Sequence, residues 1–112
     1  MIASFGEIYI VDFEPSTGHE YRGTRPAVVV QQGDDPEWPL VTVMPISSKL
    51  ERRKDRDVFI SKNEKNRLTH DSIIKTGWIC TFDKRRCLVK IGQAESPVIR
   101  QVRGYLRRHF GL

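Results

Sequence analysis

Cysteines, histidines and long apolar runs are what this chain of 112 residues has least of. Its only cysteines, Cys80 and Cys87, lack a CxxC spacing and a second pair, which argues against a zinc site. The start, Met1-Ile2-Ala3-Ser4-Phe5, carries neither the basic stretch nor the apolar core of a secretory signal. Both cysteines are therefore expected as reduced, partly buried thiols rather than as a disulfide. His19, His70 and His109 are scattered, so a metal cluster is not expected, and nothing implies a cofactor. No apolar run is long enough to span a membrane, so a soluble, cytoplasmic protein without a membrane partner is expected. A glycine-rich phosphate loop, a GxSxG elbow, an HExxH pair and the kinase signature are all missing. There is no repeat, low-complexity tract or linker, and the length fits a single domain over residues 1–112 with one core.

What the chain does have is basic charge. Nineteen Lys and Arg oppose fourteen Asp and Glu, for a net charge of +5. Such a balance favours a polyanionic partner such as nucleic acid, through phosphate contacts and counterion release. A merely soluble basic surface has the same composition, and charge alone does not choose between them.

The apolar residues fall in short runs separated by polar turns. Residues 6–13 ("GEIYIVDF"), 26–32 ("PAVVVQQ") and 40–47 ("LVTVMPIS") read as strands, the second apolar enough to be central. Pro45 suggests an edge or a bulge near the end of the third. Residues 57–61 ("DVFIS"), 72–82 ("SIIKTGWICTF") and 87–92 ("CLVKIG") read as three more, the last two joined by a turn at 83–86. The charged stretch 50–57 is expected as an exposed loop and 62–71 as a polar connection with one helical turn at most. Strands this short and closely spaced argue for a small barrel or sandwich. The end differs: Ser96 suits a helix cap and Pro97 the first helical position. Val98, Ile99, Val102, Tyr105, Leu106 and Phe110 recur at helical spacing opposite Arg100, Arg103 and Arg107, and Gly111 offers a stop.

The chemistry gathers in residues 18–26, "GHEYRGTRP", at the mouth of the second strand. Arginine, histidine, glutamate and hydroxyl groups at strand ends suit phosphodiester chemistry without a metal. In RNA the ribose 2′-OH attacks the adjacent phosphorus, so the protein has only to move two protons and stabilise an extra negative charge. A histidine or glutamate moves protons, for a factor of about 100 to 10,000. A guanidinium holds two phosphate oxygens with its fixed fork, and hydroxyl and amide donors complete an oxyanion-type site. Glycines flanking His19, Glu20 and Arg25 let a phosphate approach the backbone. Read locally, the same residues also fit a solvated loop with Arg25 in a surface ion pair.

"GEIYIVDFEPSTGHEYRGTRPAVVVQ" resembles the N-terminal signature of the MazF/PemK (Kid) toxin endoribonucleases: a G-[DE]-[IV] strand start, DF-x-P, G-[SH]-E, then G-x-RP before an apolar strand. "MPISSK" is similar to the family's P-[IV]-[TS] segment, and "SIIKTGWICTFDKRRCLVKIG" to the stretch usually ending RT-[IV]-DKxRL. The resemblance implies a mainly β protein, a small SH3-like barrel of the CcdB/MazF/PemK type with a C-terminal α-helix. It implies a homodimer that cuts single-stranded RNA at short sequences without a metal, leaving 2′,3′-cyclic phosphate and 5′-OH ends. It further implies an antitoxin partner, with which such toxins bind DNA. Position by position, Arg25 matches the catalytic arginine and Ser47 the hydroxyl that donates to the scissile phosphate. Glu20 matches the glutamate of G-[SH]-E and His19 the acid or base of the Kid-like branch. Candidate RNA contacts are Arg22, Thr24, Ser48, Lys49, Arg52, Arg53, Trp78, Thr81, Lys84 and Arg86, with a solvated side chain as the plainer alternative for Arg22.

One block departs from the family pattern. Cys80 stands at the usual arginine, and Gly77 where Kid-like members carry an aspartate. Trp78 fits either a base-stacking platform or a buried strand residue, and "ERRKDR" either a mobile flap on the RNA groove or a solvated loop. These departures keep a second reading open: a catalytically silent or CcdB-like binding module on the same fold, binding RNA or inhibiting gyrase. A housekeeping regulator using the same chemistry is a third.

Overall fold

The computed structural model describes residues 2–18 and 21–112. Seven strands precede one helix: β1 (Glu7–Asp12), β2 (Thr24–Val29), β3 (Leu40–Ser47), β4 (Val58–Ile60), β5 (Ser72–Ile74), β6 (Cys80–Asp83), β7 (Cys87–Gln93) and α1 (Ser96–Phe110). All the strand pairings are antiparallel.

The expected SH3-like barrel does not close. The strands form one open sheet in the order β4–β5–β3–β2–β1–β7, with β6 paired to β3 off that path. Among the described residues no ladder joins the outer strands β4 and β7. The 61–71 connection takes the place of such a ladder: the Gln93 amide donates to the Lys65 carbonyl at 3.0 Å. Gly92 lies so close to this segment that a Cβ would sit 2.5 Å from the Lys65 carbonyl oxygen. β4 is three residues long and packs against α1 instead.

β3 organises the sheet. Along one edge it pairs with β2, from Ala27↔Pro45 to Val29↔Val43. Along the other, residues 40–43 pair with β6 and residues 46–47 with β5. Pro45, which has no amide hydrogen, falls at the break between those two ladders. The proline expected at an edge or bulge thus marks a change of partner within a central strand.

Alternation along the strands buries both faces. Ile8, Val28, Met44 and Ile46 face a core completed by Ile60, Ile74, Val102 and Tyr105. Tyr9, Val11, Ala27, Val29, Val41 and Val43 face the other way, onto Phe13, with Tyr21 and Phe82 packed alongside. Each of these large apolar side chains contributes roughly 1.5–3 kcal/mol when withdrawn from water. Val98, Ile99 and Leu106 of α1 pack against the first core as the helical spacing predicts, whereas Phe110 is exposed.

Several expectations change in detail. The run 72–82 is two strands, split by a turn in which the Trp78 amide donates to the Lys75 carbonyl at 3.0 Å. The cap of α1 is Glu95 rather than Ser96, and its carboxylate accepts from Asn63 Nδ2 at 3.1 Å. Gly111 stops the helix in the left-handed region (φ 69°), a conformation that suits glycine. The connection 62–71 is organised by buried Asn66, whose Oδ1 accepts from the Asn63 and Leu68 amides at 3.1 and 3.0 Å. Its Nδ2 donates to the Ser61 carbonyl at 2.8 Å.

Cys80 and Cys87 are thiols, both partly buried. Burial pushes the Cys87 thiol up to about 11. Only the thiolate is nucleophilic. Alkylation of Cys87 by iodoacetamide, followed by peptide mass spectrometry, should therefore be slow at pH 8 and accelerate until about pH 11. A rate that levels off near pH 8.5, the value of an ordinary thiol, would contradict this placement.

Candidate active site

Arg25 lies near the start of β2 and Ser47 ends β3. Ala27 pairs with Pro45, so two residues further along each strand the chain brings Arg25 and Ser47 to the same end of the sheet. Both line an open cleft of about 570 Å³, together with Tyr21, Arg22, Lys49, Glu51, Arg52, Lys54, Lys75 and Trp78. Among the described residues, six cationic side chains line the cleft against the single carboxylate of Glu51, and of the six only Lys75 is ion-paired, with Asp57 beneath it. Clefts lined by one sign of charge concentrate counter-ions, here anions.

Among the described residues, no carboxylate is paired with the arginine. Arg25 Nε donates to the Arg22 carbonyl at 2.9 Å, and its guanidinium carbon lies 5.0 Å from the centre of the Tyr21 ring. The carboxylates that would neutralise it are absent from the described cleft except for Glu51, so its remaining N–H donors face an anion-attracting space. Ser47 is nearly buried, and its Oγ accepts from the Lys49 amide at 3.2 Å, which leaves the hydroxyl hydrogen to donate elsewhere. Burial raises the Tyr21 hydroxyl above its ordinary pKa, against the pull of Arg25. Tyr21 is therefore a neutral donor at physiological pH.

The loop between β1 and β2 is closed at its base. The Phe13 amide donates to the Gly23 carbonyl at 2.9 Å, and the Gly23 amide to Glu14 Oε2 at 2.6 Å. Gly23 adopts φ 68°, which only glycine adopts without strain. Arg86 Nη1 donates to the Asp12 carbonyl at 3.3 Å and also to that of Glu14, pinning the same loop from β7's side. His19 and Glu20 lie outside the described residues.

The basic stretch 50–57 is exposed through Arg56, as expected of a loop, but it is tied down. It opens with a 3-10 turn at Leu50–Arg52 and is anchored by a buried ion pair beneath the cleft. Lys75 Nζ lies 2.5 Å from Asp57 Oδ2, with side chains 10% and 2% exposed. The same ammonium donates to the Arg52 carbonyl at 3.3 Å, and Thr76 Oγ1 to the Arg56 carbonyl at 2.8 Å. The Lys54 amide donates to Asp57 at 2.9 Å. This set holds Lys49, Arg52 and Lys54 along one wall.

A second cleft of about 420 Å³ shares Arg25, Ser47 and Lys49 with the first and adds Ser48, Arg67, Thr69 and His70. The other candidate contacts disperse. Trp78 and Thr81 stand beside the first cleft on its β6 side. Arg53 lies over the Phe59 ring at 5.9 Å, Thr24 is exposed opposite Asp12, and Lys84 Nζ donates to the Pro36 carbonyl at 2.8 Å on another side of the molecule. Trp78 is not the buried strand residue considered above: it sits in the turn before β6, 38% exposed. Tyr21, Lys75 and His70 were not singled out by sequence. Lys75 alone left a trace there, as a lone charge inside the apolar run "SIIKTGW".

Among the described residues, no group of three or more His, Cys, Asp or Glu is placed to hold a metal ion. No helix among them is long and apolar enough to cross a membrane.

The family model of the PemK-like, MazF-like toxins of type II toxin–antitoxin systems matches residues 4–110. The chain belongs to this toxin family. It is 28% identical over 108 residues to the endoribonuclease MazF of Staphylococcus saprophyticus, an alignment that covers 96% of this chain and 90% of the relative. Its fold is similar to that of MazF from Deinococcus radiodurans, with a TM-score of 0.85 and 22% identity over 100% of this chain and 99% of the other. The Mycobacterium tuberculosis toxin MazF-mt6 gives a TM-score of 0.75 at 19% identity, over 95% of this chain and 97% of the other. A MazE–MazF complex from Deinococcus radiodurans gives 0.77 at 18% identity, over 100% of this chain and 98% of the other.

Proposed function

We propose that this toxin-family chain is an endoribonuclease that cuts single-stranded RNA at short sequences without a metal. The observation that carries this reading is the meeting of Arg25 and Ser47 in a cleft ringed by six cations. The reaction needs no external nucleophile. The ribose 2′-OH attacks the neighbouring phosphorus, the bond to the 5′ oxygen breaks, and the products carry a 2′,3′-cyclic phosphate and a 5′-OH. Arg25 holds two oxygens of the five-coordinate phosphorus, where its charge counts most. The Ser47 hydroxyl donates to the same group, and the Lys49, Arg52 and Lys54 wall guides the flanking phosphates. Glu20 and His19 are the proposed proton movers, one taking the 2′-OH proton and the other returning one to the leaving oxygen.

The chain's proposed physiological setting is that of its relatives. It acts as a homodimeric toxin in the cytoplasm, and a cognate antitoxin of the MazE kind, with which MazF of Deinococcus radiodurans has been crystallised, neutralises it. The test is incubation of the purified protein with a panel of single-stranded RNAs in EDTA, followed by mass analysis and sequencing of the ends. Cleavage with cyclic-phosphate ends at a few short sequences is the expected result. An uncut panel, or 5′-phosphate ends, would overturn the reading.

A further inference from the structure

Beside Arg25 the cationic cleft runs into a smaller, aromatic one of about 310 Å³, lined by Phe13, Tyr21, Trp78, Thr81, Phe82 and Arg86 among others. Tyr21 and Trp78 line both spaces. Their rings meet edge to face, 86° apart with centres 5.6 Å apart, and so form a corner. Phe13 tilts against Tyr21 at 6.4 Å and meets Phe82 edge-on at 5.7 Å, which backs that corner with a second layer of rings. The Arg86 guanidinium lies 5.4 Å from the Phe82 ring, but its hydrogen bonds go to the loop carbonyls of Asp12 and Glu14. It therefore serves as a wall. The chemistry of the space is flat, apolar and π-rich, with two hydroxyls on its lining residues, that of Tyr21 and Thr81 Oγ1, the latter 2.8 Å from Thr42 Oγ1.

The main chain of Trp78 is bonded on both sides. Its amide donates to the Lys75 carbonyl at 3.0 Å, and its carbonyl accepts from Cys80 Sγ at 3.2 Å. The block that departs from the family pattern, Gly77 to Cys80, is thus what builds the turn that presents this ring. The ring itself packs against Tyr21 and is left 38% exposed, which keeps part of it open to a flat ligand.

What would occupy the space follows from its neighbour. Arg25 lies over the Tyr21 ring, on the face of the residue that separates the two clefts. A phosphate gripped by Arg25 has its own sugar and base at the mouth of the aromatic space. We infer that this space is a nucleobase subsite, taking an unstacked RNA base next to the phosphate at Arg25, with Trp78 as the stacking surface. The inference rests on the ribonuclease reading for its choice of ligand. Every base has a π-face, so stacking supplies affinity, and base choice falls to the hydroxyls of Thr81 and Tyr21 and to the size of the space.

The test measures binding and does not depend on cleavage. The probes are fluorescent 2′-O-methyl RNA octamers, which lack the attacking hydroxyl, with each position made abasic in turn. Trp78→Ala should weaken the intact octamer about tenfold, and Trp78→Phe much less. One abasic position should weaken the wild type by a similar factor and leave Trp78→Ala unchanged. Equal weakening of intact and abasic octamers by Trp78→Ala would overturn the subsite, because Trp78 would then act only through Tyr21 and Arg25. So would binding that Trp78→Ala leaves unaltered. Should Trp78→Ala fail to fold, Trp38→Phe leaves Trp78 as the sole tryptophan of the two. Its emission should be quenched by the intact octamer and not by the one with the critical abasic position, and no difference would count against the subsite. RNA cleavage with an additive cycle sinks the subsite alone. Base-dependent binding without cleavage sinks the ribonuclease reading alone.

Discussion

Replacing Arg25 with alanine should lower single-turnover RNA cleavage by about 100- to 1,000-fold, the loss seen when one preorganised donor to a developing oxyanion is removed. The size follows from the surroundings. On the proposed reaction the five-coordinate phosphorus carries one more negative charge than the ground state, and it meets the guanidinium in a cleft where, among the described residues, Glu51 is the one lining carboxylate. The fold has little stake in the side chain. Arg25 gives up one hydrogen bond to the Arg22 carbonyl and one contact with the Tyr21 ring, the latter worth about 0.5–1 kcal/mol at a site open to water. The melting temperature should therefore fall by only a few degrees. Arg25→Lys keeps the charge but not the fork, and should recover only part of the rate. A single-turnover rate for Arg25→Ala equal to the wild type's would take Arg25 out of the chemistry.

The largest effect on stability is expected at the floor of the same cleft. Lys75→Ala should destabilise the protein by about 3–5 kcal/mol, the usual cost of removing one partner from a buried ion pair. Asp57 would keep its charge with a side chain only 2% exposed, and would retain the Lys54 amide as its donor. The Arg52 carbonyl would lose its donor as well. Urea unfolding followed by circular dichroism reads this directly, as a lower midpoint at constant slope. Replacing both partners, Lys75→Met with Asp57→Leu, should cost less than Lys75→Ala alone, because no lone charge is left buried. A midpoint that Lys75→Ala does not move would show that water already screens the pair.

These two residues differ in how far the sequence announces them. Arg25 and Ser47 are visible as polar residues at the ends of apolar runs, one two residues after a glycine and the other two after a proline. Strand placement was legible for the same local reason, since alternation and turn residues bound β1, β3, β4 and β7 to within a residue or two. Lys75 was not legible as part of the site, because its partner Asp57 stands on a separate segment and only folding brings the two together. The same pairing explains the misread run 72–82. Lys75 and Thr76 turn toward the 52–57 segment to bond it, and the strand stops. That the sheet stays open is likewise a long-range outcome: the 61–71 connection looked like polar filler, yet buried Asn66 shapes it and Gly92 receives it at the edge of β7. Ser96 was a sound cap by type, but Asn63 draws the Glu95 carboxylate to that position. Tyr21 and Trp78 are a pair only in space.

The threefold pairing of β3 bears on how such a protein is held in check. Its last residues are bonded to β5 and its first to β6, and β2 runs along the opposite edge. Freeing Ser47 by local melting would mean unzipping the middle of the sheet, which is close to unfolding the whole molecule. An inhibitor therefore gains little by prying the site apart. On the proposed toxin reading, the restraint this architecture suits is a steric one, a cover that leaves the sheet beneath intact.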